Sequence, residues 1–291
     1  MSHLIFNRAR KIKQLNRAAK TFYGSDFLHN ESANRLAQQF DEIIKKRFDI
    51  ALNIGTRNGH LTKIIKKNGL VKNIFETDIA INFLSSLRGG IADATIHPSE
   101  IPDGLPRSLT LPRNDGWVVA DEELLPFRDE SFDLIISNLA LHWVNDLPGC
   151  LAQIKRMLKK GGFFCANIFG GATLQELRSA MILLEQGGDG ISPRISPFVG
   201  VKDGAALLQR VNFDEPVSAS EEITVKYNSV SELLSDLRNT GETNALYKMN
   251  NKYPGRNYFN ELEKIYKNNY SDENGNLDAT FELVTISGWK K

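Results

Sequence analysis

"ALNIGTRNGHL", residues 51–61, is the stretch whose reading decides the fold. A short apolar run ends in Gly55, Gly59 follows, and a helix-like stretch, His60 to Lys67, comes next. Strand, glycine turn and helix in that order are how an open α/β sheet presents a nucleotide-like ligand. Two positions depart from the usual loop. Asn53 stands where such loops often carry an acid, and Arg57 where they often carry a glycine.

Working outward, strand and helix signals alternate. Ser32 to Phe48 carries Leu36, Phe40, Ile43 and Ile44 at helical spacing, and Ile50 to Ile54 reads as a short buried strand. "NIFETD" is a second strand ending at Asp78, and "IAINFLSSL" a helix. "GWVVA" is a third strand, ending just before Asp121, and "FDLIIS" a fourth. Leu147 to Leu158 is a helix closed by "KKGG", a basic last turn followed by glycine. "GFFCANIF" is a fifth strand. Such alternation implies right-handed crossovers and a parallel sheet.

The C-terminal part differs. "DGAALLQRVNF" reads as helix and "EEITVKYN" as strand. Ser229 to Asn239 and Asn257 to Asn269 look helical, and "TFELVTISGW" alternates again. The last two strands are expected to pair and flank the sheet, with helices between them. Residues 88–116 carry four prolines, which is long for one connection and reads as a surface excursion, a lid or a partner loop. The expected organisation is an N-terminal helical segment, residues 1–48, and one α/β domain, residues 49–291, with that excursion and a helical insertion at 229–270.

Ligands of such sheets bind outside the carboxyl ends of the strands. The first loop contributes Asn53, Gly55, Thr56 and Gly59. Asp78, 23 residues after Gly55, has the spacing of an acid that accepts hydrogen bonds from ribose hydroxyls, and Ile79 follows it. Asp121 and Glu122 follow the third strand, where an adenine edge is read. "SNLALHW", 137–143, lines the pocket floor with Asn138, His142 and Trp143. Pyrophosphate favours a full G-x-G-x-x-G turn at a helix N-terminus, which this loop lacks. The loop therefore disfavours a dinucleotide and leaves S-adenosylmethionine (SAM). The plainer readings are helix caps for Asp78 and Asp121, and core-capping roles for His142 and Trp143.

Bulk properties agree with a soluble globular chain. Of 291 residues, 41% are apolar and 24% charged, and the net charge of +1 gives no global field for nucleic acid. No apolar run approaches the roughly 20 residues needed to span a membrane. Cys150 and Cys165 read as reduced core residues. Residues 1–25 hold Arg8, Arg10, Lys11, Lys13, Arg17 and Lys20 and no acid before position 25. The preferred reading is a solvated basic helix; the sharper one is peripheral contact with an anionic membrane surface or partner.

"LPFRDESFDLIISNLALHWVNDLPGCLAQIKRMLKKGGFF" resembles class I SAM-dependent methyltransferases. The "LHWVND" version is similar to two groups, the malonyl-carrier-protein methyltransferases and the assembly factors of respiratory complex I. "FNRARKIKQLNRAA", "FGGATLQELRSA", "SPRISPFVGVKD", "LLSDLRNTGETNAL" and the closing "ISGWK" resemble the second group, nearly end to end. That resemblance implies a Rossmann-like fold with a mostly parallel seven-stranded sheet, helices on both faces and a C-terminal helical insertion. It implies SAM as cofactor, a catalytic region around Asn138, His142 and Trp143, and modification, by hydroxylation, of an arginine. The implied partner is an iron–sulfur subunit of NADH:ubiquinone oxidoreductase. The lack of a long leader suggests a bacterial, cytoplasmic member, peripheral at the inner membrane, or one on the matrix side if eukaryotic.

The family pattern at the first loop is D-x-G-x-G-x-G, so Asn53 and Arg57 are expected to weaken SAM binding. Restoring both, Asn53→Asp with Arg57→Gly, is expected to strengthen it. Asp146 or Glu176 is a candidate partner for a substrate guanidinium, with helix capping as the alternative. Tyr227, Tyr247 and Tyr266 read as packing residues. Three functions stand at this point: an arginine-modifying assembly enzyme, a conventional methyltransferase of the malonyl-carrier-protein type, and a non-catalytic scaffold. The five histidines form no local cluster, so no metal is expected from the sequence.

Overall fold

The computed structural model describes residues 4–40, 44, 46–83, 116–186, 192–249 and 254–291. Most of the expected excursion, 88–115, lies outside them, as do the last four residues, 84–87, of the "IAINFLSSL" helix.

The first half alternates as the sequence predicts. Helices α1 (Arg8–Ala18) and α2 (Phe27–Gln39) precede β1 (Phe48–Ile54), α3 (His60–Lys67) and β2 (Val71–Asp78). Then come β3 (Trp117–Val119), β4 (Phe132–Asn138), a single 3₁₀ turn at Leu141–Trp143, α4 (Leu147–Met157) and β5 (Leu158–Phe169). The second half holds α5 (Gln175–Glu185), α6 (Val201–Arg210), β6 (Asp214–Tyr227), α7 (Val230–Asn239), α8 (Arg256–Tyr270) and β7 (Leu277–Trp289).

The seven strands form one sheet in the order β3-β2-β1-β4-β5-β7-β6. The first five run parallel; β7 pairs antiparallel with both β5 and β6. The order reverses between β1 and β4, the switch point where such sheets bind ligands. Register aligns the carboxyl ends: Ile54 lies opposite Thr77 on one side and Ser137 on the other, and Asp78 opposite Val119.

Alternation along the strands divides the core between the two faces. Leu52, Ile54, Ile135, Phe164, Ala166 and Ile168 pack towards α4 and α6. Ala51, Leu134, Ile136, Phe163 and Cys165 pack towards α2 and α3. A further cluster joins α5, α7 and α8 to β6 and β7 through Leu177, Leu233, Leu262 and Phe281.

Element boundaries differ from expectation where tertiary pairing extends them. β5 begins at Leu158 and runs through the "KKGG" segment read as a helix end. Gly161 N donates to Lys290 O and Lys290 N to Gly162 O, so the ladder with the C-terminal strand continues there. β6 begins at Asp214 because it pairs along almost the whole of β7. Tyr227 and Tyr266 are buried, but Tyr247 is 57% exposed and does not pack as expected. Cys150 and Cys165 are free and buried, and burial pushes the Cys165 thiol up to about 12. Among the described residues, no helix is long and apolar enough to cross a membrane.

Candidate functional site

The loop after β1 is built for a close approach. Gly55 and Gly59 take φ +68°, the left-handed region, and a Cβ on Gly55 would collide with Ala140. Arg57 also takes a left-handed backbone, φ 51°, at the position where a glycine was expected. Its side chain does not turn away from the cleft. Arg57 Nη1 donates to Asp78 Oδ2 at 2.8 Å, and its backbone N–H donates to the same oxygen at 3.0 Å. Arg57 is 3% exposed and Asp78 fully buried.

Asn53 has a local explanation. Its Nδ2 donates to Thr56 Oγ1 and Thr62 Oγ1, and both hydroxyls donate to Glu76 Oε1 at 2.6 Å. Glu76 is the register partner of Asn53 on β2 and is buried. The negative charge beneath the loop therefore sits on β2, and an amide on β1 complements it. A second carboxylate at 53 would face Glu76 without enough donors for both. The reversion Asn53→Asp expected from the sequence to help is thus disfavoured by the structure. Asn53 Oδ1 is buried with no hydrogen-bond partner.

The acids after β2 and β3 are held by the N-terminal helix as well as by the loop. Arg8 pairs with both Asp121 and Glu122 and donates to Trp143 O at 3.1 Å. Glu123 lies 3.7 Å from Arg8 as well. Four carboxylates, Asp78, Asp121, Glu122 and Glu123, thus face two guanidiniums, those of Arg8 and Arg57. Burial, with the neighbouring Glu122, pushes the carboxyls of Asp78 and Asp121 up despite their cations. The cleft is short of positive charge.

The solvated basic helix expected from the sequence is therefore only half right. Lys13, Arg17 and Lys20 are exposed. Arg8 and Lys11 point inward because α1 packs Leu15, next to them on its inner face, against Phe22, Ile79 and Phe83. Lys11 is fully buried, donates to Gly241 O at 2.8 Å and lies 3.6 Å from the centre of the Trp143 ring.

The turn after β4 brings in Glu242, which sequence reasoning missed. Its Oε2 accepts from Trp143 Nε1 at 2.7 Å and lies 3.1 Å from His142 Nε2, while Oε1 lies 3.3 Å from Lys11 Nζ. Burial would raise this carboxyl, but Lys11 and His142 overcome it and hold it below the usual carboxylate range. Burial lowers His142, so it is a neutral ring at pH 7.

Other expected residues have other partners. Asn138 accepts from Ser32 Oγ at 2.7 Å and donates to His29 O at 2.9 Å, so its side chain braces α2. Ile79 sits in the apolar cluster beneath α1. Asp146 caps α4 by accepting from Gly149 N, and Glu176 is buried and bonded to the backbone N–H and hydroxyl of Thr280. The capping alternative holds for Asp146, and Glu176 is a strand-to-helix tie. Arg194 pairs with Glu185 and lies over the Tyr258 ring.

A family model described as "Methyltransferase domain" matches residues 52–166, from the first strand to the fifth. "Arginine-hydroxylase NDUFAF5, mitochondrial" of Mus musculus is 37% identical over 98% of this chain and 77% of its own length. "Malonyl-[acyl-carrier protein] O-methyltransferase" of Methylovorus sp. (strain MP688) is 28% identical over 98% of this chain and 90% of its own. The YcgJ protein of Bacillus subtilis has the same fold, with a TM-score of 0.56 at 13% identity, over 90% of this chain and 98% of its own.

Proposed function

The chain belongs to the family of the mitochondrial arginine hydroxylases NDUFAF5, built on a methyltransferase fold, and from that premise we propose that it modifies an arginine of a complex I subunit. We infer that the partner is an iron–sulfur subunit of NADH:ubiquinone oxidoreductase, and that SAM is the cofactor. The single observation that carries the cofactor reading is the excess of carboxylates at the switch point. Asp78, Asp121, Glu122 and Glu123 outnumber Arg8 and Arg57, and a ligand bringing a sulfonium reduces that excess.

The residues fit that ligand in part. Asp78 ends β2, where ribose hydroxyls are held. Asp121 and Glu122 follow β3, where an amino-bearing base is read, and Asn53 Oδ1 is an unused acceptor. Arg57 competes for Asp78, so binding requires the guanidinium to exchange partners. When bound, SAM supplies an activated methyl group. The chain's own residues bind it, exclude water beneath α1 and hold the neutral ring of His142 against Glu242. Arg57 on Asp78 also favours a second reading, a partner-binding scaffold whose cofactor site is closed from within.

Calorimetric titration of the purified protein with SAM tests the cofactor reading; saturable binding that Asp78→Asn weakens supports it, and absence of binding favours the scaffold. Mass spectrometry of arginines in the iron–sulfur subunits, with and without this chain in the cell, tests the modification. Identical masses in both would remove the arginine reading.

A further inference from the structure

Beyond His142 and Trp143 lies a cavity of about 160 Å³, whose walls include Trp143, Leu177, Met181, Ser196, Phe198 and Glu242. Much of the wall is apolar or aromatic. Phe198 lies edge-on to both His142 and Trp143, at 5.7 and 6.5 Å between ring centres. Two polar groups stand out. Ser196 is 3% exposed, yet its hydroxyl has no hydrogen-bond partner. Glu242 is a carboxylate whose side chain is 5% exposed. A buried hydroxyl without a partner loses free energy unless a ligand or water meets it.

An aromatic wall, one buried carboxylate and one unused hydroxyl are the chemistry that recognises a planar cation. The molecule already contains a stand-in for such a guest. The Lys11 ammonium lies on the face of Trp143 while paired with Glu242, so this ring and this carboxylate accept a cation together. The other cation at the cavity, Arg194, is already matched by Glu185 and stacked on Tyr258.

We propose that this cavity seats the substrate's arginine side chain, with Glu242 and Ser196 as its polar contacts. The proposal rests on the arginine-modifying reading and gives it a location walled by Trp143 and Glu242, with none of Asp78, Asp121 and Glu122 in its lining. Glu242 then meets two cations, the guest and Lys11. Burial, with Arg57 and Arg8 nearby and against the pull of Glu242, lowers the Lys11 ammonium to about 7. The neighbouring rings of His142 and His29 are neutral there. Lys11 therefore releases its proton to bulk water as the guanidinium enters, and Glu242 keeps one cation.

The full chain is titrated calorimetrically with N-acetyl-arginine methylamide and with its citrulline counterpart, which has the same length and no charge. The arginine probe is expected to bind saturably, and the citrulline probe roughly tenfold more weakly or worse. Ser196→Leu fills the cavity without touching Asp78, Asp121 or Glu122. It is expected to weaken the arginine probe roughly tenfold and leave SAM binding at its wild-type level. Leu234→Phe narrows the same cavity from α7 and should do the same, which guards against a folding defect in the first variant. Equal affinity for the two probes, no saturable arginine binding by the folded wild type, or unchanged affinity in both folded variants overturns the proposal. Failure of SAM binding alone would remove the cofactor and leave the arginine seat standing. Loss of arginine selectivity with SAM binding intact would remove the seat and leave the cofactor reading standing.

Discussion

Arg57 Nη1 lies 2.8 Å from Asp78 Oδ2 with both side chains buried, so the carboxylate we propose as the ribose contact is held by the loop after β1. Arg57→Gly is expected to raise SAM affinity roughly tenfold or more, since it frees a charge-assisted acceptor. It also relieves a left-handed backbone at a residue with a Cβ, about 1–2 kcal/mol. Without ligand the variant should melt at lower temperature. A buried carboxylate that loses its cation costs about 3–5 kcal/mol, which outweighs the backbone gain. Calorimetry and thermal melts with and without SAM measure both; unchanged affinity would mean that Arg57 is not the competitor.

Asn53→Asp should destabilise the protein by about 2–3 kcal/mol at pH 7, because it sets a carboxylate beside Glu76 over two shared threonine hydroxyls. Denaturant unfolding measures the loss. In a Glu76→Gln background the same substitution should cost much less, and a double-mutant cycle with no coupling would refute the network.

Asn138→Ala should cost about 2 kcal/mol in stability through the two bonds to α2, from Ser32 and to His29. SAM affinity should change by less than about threefold, a small fraction of a lost ligand contact. A large loss of binding with stability intact would instead return Asn138 to the cofactor.

His29 is 2% exposed, its two ring nitrogens have no hydrogen-bond partner, and it lies edge-on to Phe22. Burial lowers its imidazole from 6.5 to about 3. As pH falls below 6.5 the unfolded chain takes up this proton and the folded chain does not, so stability is lost between about 6.5 and 3. The slope is at most about 1.4 kcal/mol per pH unit, or about 2 kcal/mol by pH 5. His29→Phe should remove that part of the acid limb while keeping the neutral-pH stability. Parallel pH profiles for wild type and variant would contradict this.

The alternation of strands and helices, the strand ends that carry Asp78, Asp121 and Asn138, and the resemblance to a methyltransferase-fold family were all legible in the chain. Each rests on local periodicity or on neighbouring residues, and such signals survive without knowledge of the fold. What the acids hold was not legible. Arg8 meets Asp121 and Glu122 across more than a hundred residues, and Glu242 meets His142 across a hundred. No spacing rule connects such pairs. Arg57 looked like a defect in a glycine loop, and Asn53 like a lost charge. Both became explicable only when β1 and β2 came into register and placed Asp78 beside one and Glu76 near the other. The basic N-terminal helix was visible as charge, but its inward face depends on Leu15 docking over Ile79. Backbone periodicity decides which elements form; the partner of a buried charge is decided by whichever distant side chain the packing brings within reach, because burial makes an unpaired one costly.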